Sequence, residues 1–158
     1  MMIKVFDNFL SEEEQDDVLD YCESGAKFRY GESDDGTTPP CGVTHDIPKS
    51  NFVYKLFAEK TKSLAPKDTP LYRMYINCFA PREVPYFHND GDSGVTFLYY
   101  PQKDWKPNDG GETQFYVNGN IQGVVPIPNR LVAFDAEIIH RATSFRDRWR
   151  FTLAIKYE

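Results

Sequence analysis

Leu71-Tyr72-Arg73-Met74-Tyr75-Ile76-Asn77-Cys78-Phe79 is the stretch that decides the fold. It reads at period two, is rich in strand-favouring aromatic residues and is uninterrupted by Gly or Pro, so it predicts one long strand. Shorter runs of the same kind follow at Thr96 to Tyr100, Thr113 to Val117, Gln122 to Ile127, Leu131 to Phe134 and Phe151 to Tyr157. Upstream the period is helical. A short apolar run, Met2 to Phe6, turns at Asp7-Asn8. Ser11 then stands three residues before Glu14, a capping box opening a helix over about 11–24 that Gly25 stops. A second helix over about 50–64, capped by Ser50, ends before Pro66. The stretch 29–50 is polar and turn-rich and reads as a loop suited to a lid.

Two helices followed by six or more short strands predict a mainly β chain with N-terminal helices around a double-stranded β-helix, or jelly roll of cupin-like form. The 158 residues fit a single domain, with 1–69 as helical support and loop and 70–158 as the jelly-roll core. Composition agrees: aromatics make up 15%, and 11 Pro with 10 Gly break the chain often. The net charge of −6 and the lack of a Lys/Arg block disfavour nucleic acid as a partner. Three cysteines, an odd number without Cys-x-x-Cys spacing, read as reduced thiols. Neither an N-terminal apolar leader nor a run of 18 apolar residues is present, which predicts a cytoplasmic protein without a membrane span.

Chemistry concentrates around Tyr86-Phe87-His88-Asn89-Asp90. In extended backbone, residues two apart point to one side, so His88 and Asp90 would present an imidazole and a carboxylate together. A third ligand would come from His45 or His140, the other histidines of the chain. A lone His-x-Asp is common on solvated loops. Here it lies in a longer order: strand, His-x-Asp, strand, Gly110-Gly111-Glu112-Thr113, strand, then His140 and Arg150. Two histidines and one carboxylate on one face of a metal leave positions open for cosubstrate and O2.

Arg150 opens the last strand. Alternation puts Phe151, Leu153, Ile155 and Tyr157 on one face and Arg150, Thr152 and Ala154 on the other. A guanidinium fork and a hydroxyl beside a small residue form a niche for a carboxylate. A solvated arginine pairing with Asp147 is the plainer reading of Arg150 taken alone.

Together these residues resemble the 2-oxoglutarate- and Fe(II)-dependent dioxygenases of the prolyl 4-hydroxylase-like type. The resemblance implies that His88, Asp90 and His140 hold iron and carry catalysis. It also implies that Arg150, ten residues after the distal histidine, binds the far carboxylate of 2-oxoglutarate, with Thr152 as a further donor. It extends over Val95 to Tyr100, where a tyrosine of the family contacts the cosubstrate; parity with Thr96 and Leu98 favours Tyr100 over Tyr99. Asn77-Cys78-Phe79-Ala80-Pro81 is similar to the Asn-x-Tyr-x-Pro stretch of the demethylase branch. That likeness implies a cosubstrate contact for Asn77, while Phe79 lacks the hydroxyl for a second one.

The implied cofactors are Fe(II), 2-oxoglutarate and O2, and the implied reaction is C–H hydroxylation of a prolyl, peptidyl or small-molecule substrate with release of succinate and CO2. Two alternatives are a cupin-type metal-binding jelly roll, such as an isomerase, that ignores 2-oxoglutarate, and a non-catalytic interaction module.

Overall fold

The computed structural model describes residues 3–158; Met2, at the head of the expected opening run, lies outside them. Nine strands and two α-helices follow in the order β1 (Ile3–Phe6), α1 (Glu12–Asp20), β2 (Val43–Asp46), α2 (Phe52–Lys62), β3 (Leu71–Phe79), β4 (Val95–Tyr100), β5 (Thr113–Val117), β6 (Asn120–Val124), β7 (Arg130–Asp135), β8 (His140–Ala142) and β9 (Arg150–Tyr157). All strand pairings are antiparallel. The larger sheet runs β1-β7-β4-β9-β3-β2 and the smaller β6-β5-β8. This is the mainly β, double-stranded β-helix architecture expected, with the helices packed outside the larger sheet.

Side-chain parity explains why the inner strands are apolar almost throughout. Phe97, Tyr99, Leu131, Ala133, Leu153, Ile155 and Tyr157 pack with Val18, Cys22, Val53 and Phe57 in a core between sheet and helices. Their strand neighbours Leu98, Tyr100, Val132, Phe134 and Ala154 turn the other way and meet Phe115 and Val117 of the smaller sheet. A strand with both faces covered loses the polar half of its alternation, as the six buried residues of β4 show.

The first helix is capped as expected. Ser11 accepts from the Glu14 amide and Glu14 reaches back to the Ser11 amide. The α-helix gives way to a π-helical turn, Tyr21–Gly25. Three expectations are corrected. Helix α2 is capped by Asn51, whose side chain accepts from Val53, rather than by Ser50. The stretch 29–50 is not loop throughout, because Val43–Asp46 pairs with β3 as an edge strand. Its signal was four residues long and polar on one side. Strand β6 starts and ends earlier than the apolar pattern suggested, with a turn at Asn118-Gly119 setting its register against β5.

Candidate active site

The segment between β3 and β4 meets the smaller sheet at the first residue of β8. His88 and His140 lie opposite each other as an isolated antiparallel bridge. The His88 amide donates to the His140 carbonyl at 3.0 Å, and the His140 amide to the His88 carbonyl at 2.8 Å. Directly paired residues send their side chains to the same face, and the two imidazoles lie 4.6 Å apart, centroid to centroid. Two residues on, the Asp90 amide donates to the Ala136 carbonyl at 2.9 Å, which keeps Asp90 in the same frame. His88 Nε2 is 3.7 Å from Asp90 Oδ1, and His140 Nε2 is 3.6 Å from Asp90 Oδ2.

Backbone carbonyls set both imidazole tautomers. His88 Nδ1 contacts the Tyr86 carbonyl at 3.0 Å and His140 Nδ1 the Ile138 carbonyl at 2.8 Å. A carbonyl only accepts, so each Nδ1 carries a proton and each Nε2 is the atom turned towards Asp90. Burial lowers the His140 pKa to about 4, against the opposing pull of Asp90, so this ring is neutral at physiological pH. Burial pushes Asp90 up, but His140, Lys156 and the hydrogen bonds from Lys156 and Thr96 outweigh it, and its pKa is lowered. Thr96 donates to Asp90 Oδ2 at 2.6 Å, and Lys156 Nζ lies 2.8 Å from Oδ1. Two imidazole nitrogens and one carboxylate, all within 4.8 Å of one another, form a donor set of the kind Fe(II) takes.

The same cavity is lined by Asn77, Leu98, Thr113, Ala142, Arg150, Thr152 and Lys156. Arg150 is 1% exposed. Its Nε donates to the Gly111 carbonyl at 2.9 Å, one terminal nitrogen to Thr113 Oγ1 at 3.1 Å and the other to Thr152 Oγ1. Among the described residues no carboxylate forms an ion pair with it. Burial pulls the Arg150 pKa down, yet an arginine stays charged in a protein. A buried cation whose partners here are neutral oxygens calls for an anion, and it still has two N–H groups to give. That fits a carboxylate of 2-oxoglutarate.

The other expected contacts divide. The face of β3 that carries Asn77 opens on the cavity beside Thr152, its register partner. The Thr152 oxygen is occupied by Arg150, which leaves its own proton to donate. Tyr100 lies one layer back. Its hydroxyl meets Thr113 Oγ1 at 2.6 Å and its ring sits 5.6 Å from the Arg150 guanidinium. Tyr99 faces the helices and donates to Asn129, away from the cavity. His45 is distant as well, on β2 with Nε2 2.7 Å from the Tyr21 hydroxyl.

Sequence reasoning missed Thr113, Thr96, Lys156 and Asp34. Lys156 had a signal: the parity of Arg150, Thr152 and Ala154 continues onto it. Arg141, Arg146 and Arg148 are spent locally, Arg148 on Asp104 and Asp109, Arg146 on the Asn108 carbonyl and Arg141 on Gln114 and the Phe87 ring.

The model of the 2OG-Fe(II) oxygenase superfamily matches residues 73–156, more than half of the chain. The chain belongs to that superfamily. It is therefore an oxygenase that uses Fe(II), 2-oxoglutarate and O2, and the cupin-type and non-catalytic alternatives are set aside. Solved structures agree on the fold. A prolyl-4-hydroxylase from Pseudomonas putida superposes with a TM-score of 0.80 at 16% identity, over 99% of this chain and 92% of that one. A prolyl hydroxylase from Trichoplax adhaerens, in complex with a hypoxia inducible factor peptide fragment, gives 0.78 at 18% identity, over 98% and 82%. The viral collagen prolyl hydroxylase from Paramecium Bursaria Chlorella virus-1, as its 2OG complex, gives 0.73 at 14%, over 99% and 96%. No curated protein matches the sequence significantly. Among the described residues no helix is long and apolar enough to cross a membrane.

Proposed function

We propose that this oxygenase is a hydroxylase in which His88, Asp90 and His140 hold Fe(II) and Arg150 receives the C5 carboxylate of 2-oxoglutarate. The observation that carries the reading is the buried Arg150 guanidinium, without an acidic partner among the described residues, in one cavity with two histidines and an aspartate that aim at a common point. When bound, Fe(II) supplies oxidation of a C–H bond to C–OH coupled to conversion of 2-oxoglutarate and O2 into succinate and CO2.

The chain's own residues prepare that chemistry. The Tyr86 and Ile138 carbonyls engage each Nδ1 and so turn both Nε2 atoms towards Asp90, and Thr96 and Lys156 hold the Asp90 carboxylate ionised and oriented. Gly111, Thr113 and Thr152 aim the guanidinium, with Tyr100 behind it as a positioning residue for Thr113. Asn77 and the Thr152 hydroxyl proton are the further donors to the cosubstrate. Leu98 and Ala142 add apolar wall to the cavity.

The substrate is proposed to be a peptidyl segment or a small molecule of similar size. The Trichoplax relative, seen with a peptide fragment, supports the peptidyl form. The chain is taken as one catalytic domain, its residues 1–69 supporting the 70–158 core. Exposure of a proline-containing peptide panel to the protein with Fe(II), 2-oxoglutarate and O2 tests this. The expected result is gain of one oxygen atom in a peptide with equimolar succinate. Succinate formation that no peptide stimulates would move the substrate to small molecules. No succinate from wild type under any condition would overturn the reading.

A further inference from the structure

One charged group facing the cavity has no role in holding metal or cosubstrate. Asp34 lies on the segment between the π-helical turn and β2, and this segment is anchored on both sides of it. Arg73 grips Glu32 with two nitrogens, at 2.6 and 2.9 Å, and Thr44 donates to the same carboxylate. After Asp34, the Asp35 carboxylate accepts from the Thr37 amide and hydroxyl, each at 2.6 Å. Held this way, Asp34 turns inward. Its Oδ2 accepts from the Tyr86 amide at 2.6 Å, its Oδ1 lies 3.7 Å from His88 Nδ1, and its side chain is only 14% exposed.

The cations around the cavity are committed elsewhere. Lys156 pairs with Asp90, Arg73 with Glu32 and Asp46, and Arg29 with Glu32 and Asp46. Arg150 sits at the deep end against Gly111, Thr113 and Thr152. Asp34 is left with one amide donor, and the His88 Nδ1 beside it is already engaged by the Tyr86 carbonyl. A carboxylate largely withdrawn from water retains acceptor capacity that a cation satisfies best.

We infer that Asp34 selects a substrate bearing an ammonium or guanidinium group, holding that group at the cavity mouth beside His88. The inference deepens the proposed function and rests on it. Asp34 is a specificity residue: it would touch substrate, and neither the metal nor 2-oxoglutarate needs it.

The test uses the full chain loaded anaerobically with Fe(II) and 2-oxoglutarate. The visible charge-transfer band reports that the site has assembled, independently of substrate. Calorimetry then compares arginine with citrulline and lysine with Nε-acetyllysine, each as the free amino acid and as the central residue of a blocked tripeptide. At least one cationic probe should bind tenfold or more tightly than its neutral counterpart, and the free or peptide form that does so names the source. Asp34→Asn, which still accepts from the Tyr86 amide, should reduce the preference below twofold with 2-oxoglutarate affinity unchanged, and Asp34→Glu should retain it. A band without any cationic preference in wild type overturns this inference alone, as does a preference that survives in Asp34→Asn. Absence of the band overturns the proposed function and this inference with it.

Discussion

Arg150 illustrates how a residue's surroundings state what it lacks. Three hydrogen bonds fix its plane, yet every partner among them is neutral. Replacing it with Ala removes a charge-assisted fork worth about 3 kcal/mol, so 2-oxoglutarate should bind roughly 100-fold more weakly or worse. Metal affinity should stay within about threefold of wild type, since none of the three residues proposed to hold the metal touches Arg150. Calorimetric titration of the metal-loaded variant separates the two effects.

His140 makes a different prediction, for the metal-free protein. Its folded pKa, about 4, lies below the ordinary value of 6.5, because burial disfavours the imidazolium. Between those values the unfolded chain binds the proton and the folded chain does not, so stability falls as pH drops from 6.5 towards 4. The shift corresponds to about 3 kcal/mol. Urea midpoints at pH 7 and pH 4.5 should show the loss, and His140→Gln should lack that part of it. Equal pH dependence in the variant would contradict the assignment.

The elements that frame the site are β5, β8 and β9, with Gly111 where the chain enters β5. Gly111 has φ of 82°, and a β-carbon there would meet the Phe145 ring at 2.5 Å. Its carbonyl is also the acceptor for Arg150 Nε. Gly111→Ala should therefore cost about 2 kcal/mol or more through strain and overlap. It should also weaken 2-oxoglutarate binding, which an alanine placed at the open Gly119 would not do. Denaturant midpoints together with cosubstrate titration check both halves.

The elements also show how far the sequence could be read. Alternation along Arg150 to Tyr157 and Thr96 to Tyr100 predicted which residues face the helices and which face inward, because the sheet is covered on both sides and parity alone sorts them. Strands β2 and β8 were not legible. One is four residues and polar at the edge, the other three residues, and their pairing is decided by distant partners rather than by local pattern. The pairing of His88 with His140 belongs to the same class: spacing suggested two ligands, but only the bridge from the β3–β4 segment to β8 makes them neighbours. Lys156, by contrast, was within reach of the parity argument. Asp34 carried no signal at all, since a carboxylate in a polar loop looks the same whether it faces water or a cavity.

At the scale of the whole molecule, the two sheets and the outer helices divide the work. The helix-facing core of Phe57, Phe97, Tyr99 and Leu153 backs the larger sheet, and the inter-sheet layer adjoins the cavity lined by His88, Asp90 and His140. A site in which His140 and Arg150 open strands, and backbone hydrogen bonds tie His88 and Asp90 to His140 and Ala136, is preorganised, which oxidative chemistry requires if the reactive site is to meet substrate and exclude water. Superfamily membership supplies the cofactors; the positions of His88, Asp90, His140 and Arg150 within one cavity supply the claim about where they bind.

The most direct test of that claim is the anaerobic visible spectrum of the metal-free protein on addition of Fe(II) and then 2-oxoglutarate. The account predicts a charge-transfer band that needs both components, disappears in His140→Ala, and in Arg150→Ala appears only at much higher 2-oxoglutarate concentration. A band that forms equally well in both variants would contradict it and place the iron and its cosubstrate elsewhere in the molecule.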